Sequence, residues 1–184
     1  MRVFLIRGLV AVAWAVVFAA VSDSLTTGVT VGAGILVVIY PLIDVVASLI
    51  DARSERGSAR RVLLAGAATS AIAAAALAVA ATGTVGDVLA VFGIWAFVSG
   101  AAQLITALRR RAEFGLQLPM LLAGGFSALF GVVLVVTSTA ADPMLGMIAI
   151  YAATGGIDFI VQAWLLARRR RRLGHPAGPI LSAS

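Results

Sequence analysis

Between positions 92 and 108 the chain runs seventeen residues without a charge, and then Arg109, Arg110 and Arg111 arrive together. About 20 apolar residues in a helix cross the roughly 30 Å hydrocarbon core of a bilayer. In lipid every backbone N–H and C=O must be paired within the segment, which leaves helix as its form. Five further segments have the same character, giving six in all: 3–21, 28–50, 62–82, 85–108, 118–138 and 143–167. Composition agrees, since 61% of the 184 residues are hydrophobic and only 12% are charged. A soluble domain of this size would need far more polar surface. The expected fold is all-α, a polytopic membrane protein of six transmembrane helices. Residues 1–172 form one domain, with helical hairpins at about 3–50, 62–108 and 118–167, and 173–184 form a flexible cytoplasmic tail.

The charges fix an orientation. All 14 basic residues are arginine, at positions 2, 7, 53, 56, 60, 61, 109 to 111 and 168 to 172. Six crossings put every one of them on the same side, and by the positive-inside rule that side is the cytoplasm. Both termini are then cytoplasmic. The opposite turns carry Asp23, Asp87 and Asp142, one per hairpin, and these are expected to act as helix N-caps. A pI near 11.4 invites a nucleic-acid reading, but short arginine clusters between apolar runs are topology signals, so no nucleic-acid partner is expected. The absence of lysine alongside abundant Ala, Gly and Val points to a GC-rich bacterial genome, and so to a bacterial inner (plasma) membrane. The first segment is read as a retained helix rather than a signal peptide. Arg7 interrupts its apolar run, and its removal would leave half a hairpin unpaired.

The plan repeats. Moving 55 residues down from Ser99, Gly100 and Gln103 gives Thr154, Gly155 and Asp158, again followed by arginines. Upstream, Asp44 holds the place of Gln103. In the first helix of each hairpin Gly8, Gly66 and Gly124 recur at intervals of 58, each with a small residue seven further on: Ala15, Ala73 and Gly131. Such pairs lie on one helix face and let backbones approach, which in lipid replaces the hydrophobic effect as the adhesive.

No catalytic constellation is present, and no cofactor or metal site is expected. There are no cysteines, and the single histidine, His175, stands in the tail, so neither a thiolate or zinc site nor a catalytic triad can be built. The chain reads as a non-enzymatic protein. The informative residues are polar ones inside the apolar segments. Asp44 and Asp158 lie nine and ten residues before the next arginine, about 13–15 Å along a helix, near mid-bilayer. A charged carboxylate there costs at least ~2.5–3.5 kcal/mol to insert, so it must face the interior and find partners. Ser48 and Gln162 stand four residues past Asp44 and Asp158, on the same faces. Asp44, Gln103, Asp158, Gln162 and Ser48 read first as hydrogen-bond glue between helices. The alternative is a pseudo-threefold site for a proton or small polar solute, as in a small transporter or proton-linked channel.

Arg7 is a candidate partner for either aspartate, with snorkelling to the headgroups as its plainer role. Trp164 reads as an interfacial anchor, Trp95 as packing, and Pro41 as a kink before Asp44. Arg168, Arg169, Arg170, Arg171 and Arg172 mark topology and are expected to contact anionic lipid headgroups. The bilayer is thus the expected partner, with a homo-oligomer compatible with the small-residue faces.

One helix has the form G-I-W-x-x-x-S-G-x-x-Q-x-I-x-A-L-R-x-R, carried by Gly93, Ile94, Trp95, Ser99, Gly100, Gln103, Ile105, Ala107, Leu108, Arg109 and Arg111. With Gly155, Asp158 and the Asp142-Pro143 turn, it resembles the HdeD-like family of bacterial inner-membrane proteins over essentially the whole chain. The first hairpin departs most, with Pro41 where the others have glycine. The resemblance implies a six-helix inner-membrane protein with a link to acid resistance and envelope stress, and it supplies no catalytic residues.

Overall fold

The computed structural model describes residues 2–22, 28–109, 111 and 118–173. Six helices follow one another: α1 Arg2–Ser22, α2 Val31–Ser54, α3 Gly57–Ala80, α4 Val85–Arg109, α5 Leu118–Thr137 and α6 Met147–Leu173. Each is long and apolar enough to cross a membrane. Large apolar side chains point outward all round the bundle, among them Val79 at 72% exposure, Ile72 at 71% and Leu122 at 69%. A water-soluble bundle would bury such residues and this one offers them to lipid.

The helices form a closed ring in chain order, with α6 returning to α1. Adjacent helices do not pack equally. The tight seams are α1 with α6, α2 with α3, and α4 with α5, and the contacts within the sequence hairpins α1–α2, α3–α4 and α5–α6 are looser. The closest packing therefore runs between the hairpins of the sequence rather than inside them.

Small residues at sevenfold spacing explain the tight seams. In α4, Gly86 faces Ser138 just past α5, and Gly93 and Gly100 face Gly131 and Gly124 within it. A Cβ placed on Gly93 would stand 2.7 Å from the Gly131 carbonyl oxygen, and one on Gly100 2.6 Å from that of Gly124. In the α1–α6 seam a Cβ on Gly8 would stand 2.7 Å from the Gly156 oxygen. The α2–α3 seam begins where Gly34 meets Ala81 and continues in buried Pro41 and Ser48 on α2 and buried Ala74 and Ala67 on α3, each seven residues on. Heptad spacing of this kind keeps one face on the partner along a left-handed crossing. One expectation needs correction. Gly66 faces open space, and the seam uses Ala67 instead. In α6 the seam residue is Gly156, and Gly155 points to the interior beside the Tyr40 hydroxyl.

Between α2 and α3 the sequence suggested a connector spanning 51–61. It shrinks to Glu55 and Arg56, with Gly57 at φ +61°. That left-handed value suits glycine and lets the helices fold back at once. On the opposite side α2 starts at Val31, where the Thr30 hydroxyl accepts the Ala33 N–H at 3.3 Å.

Of the three aspartates expected as caps, Asp23 lies outside the described residues. Asp87 instead completes a capping box: its carboxylate accepts the Thr84 N–H at 2.8 Å and hydroxyl at 2.7 Å, while the Thr84 hydroxyl accepts the Asp87 N–H at 3.2 Å. Thr84 is the cap and Asp87 its reciprocal partner. Asp142 is exposed, five residues ahead of α6, which begins on turn bonds from Met147 to Met144 and Ile148 to Leu145. Thr84→Ala or Asp87→Ala should each lower the melting temperature in detergent, and Asp142→Ala should leave it unchanged. Equal effects at Asp87 and Asp142 would contradict this assignment.

Ser22 lies beside Gly146 and Gly8 beside Gly156, so α1 and α6 are antiparallel. The start of α1 and the end of α6 share one end of the bundle, and the described arginines gather there. In the half away from them the ring is filled solidly by Phe18, Val37, Leu77, Leu89, Leu134 and Ile148, all at most 1% exposed.

Candidate functional site

The half nearer the arginines is hollow. An open cavity of about 420 Å³ lies there, lined by residues of α1, α2, α4, α5 and α6. Its polar wall is Arg7, Asp44, Ser99, Gln103, Thr154 and Asp158. Its aromatic wall is Tyr40, Trp95, Phe126, Tyr151 and Phe159. Three of the five residues expected to form a polar site, Asp44, Gln103 and Asp158, thus come from three separate helices to one space. Gln162 stands behind it, donating from Nε2 to the Asp158 carboxylate at 2.5 Å. Ser48 is not among the lining residues; it is buried on α2, in register with the α3 seam.

The two aspartates have different surroundings. Asp44 is the centre of a network joining four helices. Arg7 reaches it at 3.4 Å and Asp51 at 2.9 Å. Ser70 of α3 donates to the other Asp44 oxygen at 2.8 Å, and the Trp95 indole N–H donates in turn to Ser70 at 3.0 Å. Arg7 therefore does not simply snorkel. Two carboxylates hold its guanidinium, which also lies 5.5 Å from the centre of the Phe159 ring. This suits arginine, whose planar fork serves two acceptors and a ring face at once. Asp158 has no such company. Its hydrogen bond comes from Gln162 on its own helix, and among the described residues no arginine pairs with it. Gln103 faces the cavity with no hydrogen-bond partner among the described residues.

Aromatic rings close the inner end. Tyr151 packs edge-on to Phe92, Trp95 and Tyr40, with centroids 5.4, 6.4 and 6.2 Å away. Trp14 stacks on Phe18 at 4.7 Å and donates its N–H to the Leu36 carbonyl at 3.0 Å. Ser127 donates to the Ala96 carbonyl at 3.0 Å and lies 2.7 Å from the Tyr151 hydroxyl. A serine has one proton, so the tyrosine donates to the serine. Both wall hydroxyls are thereby fixed in direction. Trp95, read from sequence as packing, is both core and cavity wall. Pro41 sits within α2, one residue from Tyr40 and three from Asp44.

A second, apolar groove of about 410 Å³ lies between α1 and α2, lined by Ile6, Val10, Val46 and Ile50 and sharing Arg7 and Ile43 with the cavity. Arg168 stacks over the exposed Trp164 ring at 3.7 Å. The side chains of Arg169, Arg170, Arg171 and Arg172 lie outside the described residues, as do His175 and the rest of 174–184. Among the described residues no three His, Cys, Asp or Glu side chains come close enough to hold a metal. No family model matches the chain, and no curated protein or solved structure matches it.

Proposed function

We propose that this is a non-enzymatic, multi-pass protein of a bacterial inner membrane, with both termini cytoplasmic, that binds a small polar solute from the cytoplasmic side. The observation that carries this reading is the convergence of Asp44, Gln103 and Asp158 on one cavity at the arginine-bearing end. Hydrogen-bond glue accounts for Asp44, which ties α1 and α3 to α2. It does not account for the other two. The Asp158–Gln162 bond lies within one helix and joins nothing, and Gln103 bonds to no neighbour among the described residues. The adhesive of this bundle is its glycine and alanine seams. Keeping a mid-membrane carboxylate and amide free of structural duty is expensive, and a solute that uses them supplies the reason.

The cavity narrows into packed rings rather than continuing across the bundle. That supports a binding vestibule facing one side, as in one state of a small transporter, over a permanent channel. The arginine clusters, Arg168 to Arg172 above all, contribute about 1 kcal/mol each against anionic headgroups. Acid or envelope stress is the setting that the HdeD-like resemblance adds.

The cysteine-free chain makes the test direct. In Ser99→Cys and Thr154→Cys, a membrane-impermeant thiol reagent should label inside-out vesicles and spare right-side-out ones. Val37→Cys, in the packed half, should stay silent in both. Equal labelling of the cavity cysteines from the two sides would defeat the one-sided vestibule.

A further inference from the structure

We infer that the solute is a small organic cation, a primary amine or quaternary ammonium ion. This rests on reading the cavity as a solute site. Charge comes first. At the cavity wall the Arg7 guanidinium offsets Asp44, while Asp51 lines the outer groove. Asp158 is left as a negative charge with no arginine beside it among the described residues. Low-dielectric walls concentrate that field on whatever sits between them. An anion is repelled, and a neutral solute gains nothing from it.

The walls then choose among cations. A hard metal ion needs six or more oxygens converging at short range. Here the carboxylates are divided between α2 and α6, and the rest of the lining is mainly apolar and aromatic. Tyr40, Trp95, Phe126, Tyr151 and Phe159 offer aromatic faces and edges. Aromatic faces attract weakly hydrated organic cations, and a ring of them with a carboxylate is the recognised way to hold an ammonium group. The cavity volume, about 420 Å³, lies in the range of about 300–1,000 Å³ used by small-molecule sites.

The protein already displays this recognition. The Arg7 guanidinium is itself an organic cation at the cavity wall, held by Asp44 at 3.4 Å and by the face of Phe159 at 5.5 Å. Asp158, which lines the same cavity as Trp95, Phe126 and Tyr151 and pairs with no cation among the described residues, offers a carboxylate and aromatic rings to a free ligand. Gln103 is placed to accept an N–H from a primary amine.

The test uses Ser99→Cys chain in inside-out vesicles. Two methanethiosulfonate reagents of similar size are compared, one ending in trimethylammonium and one in sulfonate, each normalised to its rate with a free thiol. The cationic reagent should react about tenfold faster. Choline chloride should slow the reaction, and its uncharged carbon isostere, dimethylbutanol, should not. Adding Asp158→Asn should remove the preference for the cationic reagent while both still react. Equal normalised rates, or equal protection by choline and dimethylbutanol, would overturn the organic cation and leave a solute cavity standing. Failure of both reagents to react at Ser99→Cys would remove the solute-site reading and the inference with it. The comparison of reagents on the Ser99→Cys chain stands even if Asp158→Asn fails to fold.

Discussion

Gly100→Leu will abolish the folded protein, and Gly66→Leu, the same exchange on another helix, will leave it intact. The first added Cβ would sit 2.6 Å from the Gly124 carbonyl oxygen, with the Ala128 backbone close by. Those neighbours are backbone of a packed helix and cannot swing aside as a side-chain tip would. Overpacking in a core commonly costs about 1–3 kcal/mol, and a backbone-to-backbone clash belongs at or above the top of that range. In lipid the loss is larger in effect, because close approach is what holds α4 and α5 together. At Gly66 a Cβ meets nothing within 4 Å, and leucine only adds lipid-facing surface. Size exclusion and thermal unfolding in mild detergent read the difference. A Gly100→Leu chain that elutes and melts like wild type would mean that the α4–α5 seam is not what the geometry describes.

The second large effect is expected at Arg7. Arg7→Leu takes the cation away from Asp44 and Asp51 together and leaves one carboxylate unpaired at membrane depth and a second at the membrane boundary. Breaking a fully buried pair costs about 3–5 kcal/mol, and an exposed one about 0–1. The Arg7 side chain is 21% exposed and its partners 40% and 35%, so about 2 kcal/mol is expected. Adding Asp44→Asn and Asp51→Asn should recover most of it, since the orphaned charges are then gone while Ser70 keeps an acceptor. Asp158→Asn alone should fall within about 0.5 kcal/mol of wild type, because Gln162 keeps its oxygen partner. If the triple variant melts no higher than Arg7→Leu, the guanidinium acts through packing and not through charge.

Much of this was legible in the residues. Apolar run length and arginine placement mark six helices, because lipid allows one backbone solution to such segments. Asp44, Gln103 and Asp158 could be picked out because ionisable and amide groups are costly at that depth. Their meeting in one cavity follows from their shared height and inward faces. The partners could not be read. Ser70 sits in an alanine-rich helix where nothing marks it, and its bonds to Asp44 and Trp95 depend on how α3 leans on α2 and α4. The aromatic wall was equally hidden, since Tyr40, Trp95 and Tyr151 look like any apolar-face residues until three helices converge. The seam register went astray by one residue at Gly66. A helix turns 3.6 residues per turn, so a shift of one moves a side chain by roughly 100° and decides seam against surface. The hairpin grouping misleads for a different reason. Short turns show which helices are consecutive, and small residues show which are close, and here these are different pairs.

The α1–α6 seam joins the first helix to the sixth, and this bears on how the protein is made. Gly8 and Gly156 touch across 148 intervening steps of sequence. At about 5–20 residues per second, α1 waits on the order of 10–30 s for its partner to leave the ribosome. During that interval Gly8 and Ala15 lie bare to lipid, and Arg7 has its α2 carboxylates but not the Phe159 ring. α6, made after the other five helices, is thus the one that closes the ring. A nascent chain halted before α6 would present an open small-residue face, the kind of surface that membrane quality control or an insertion chaperone must shield until α6 arrives.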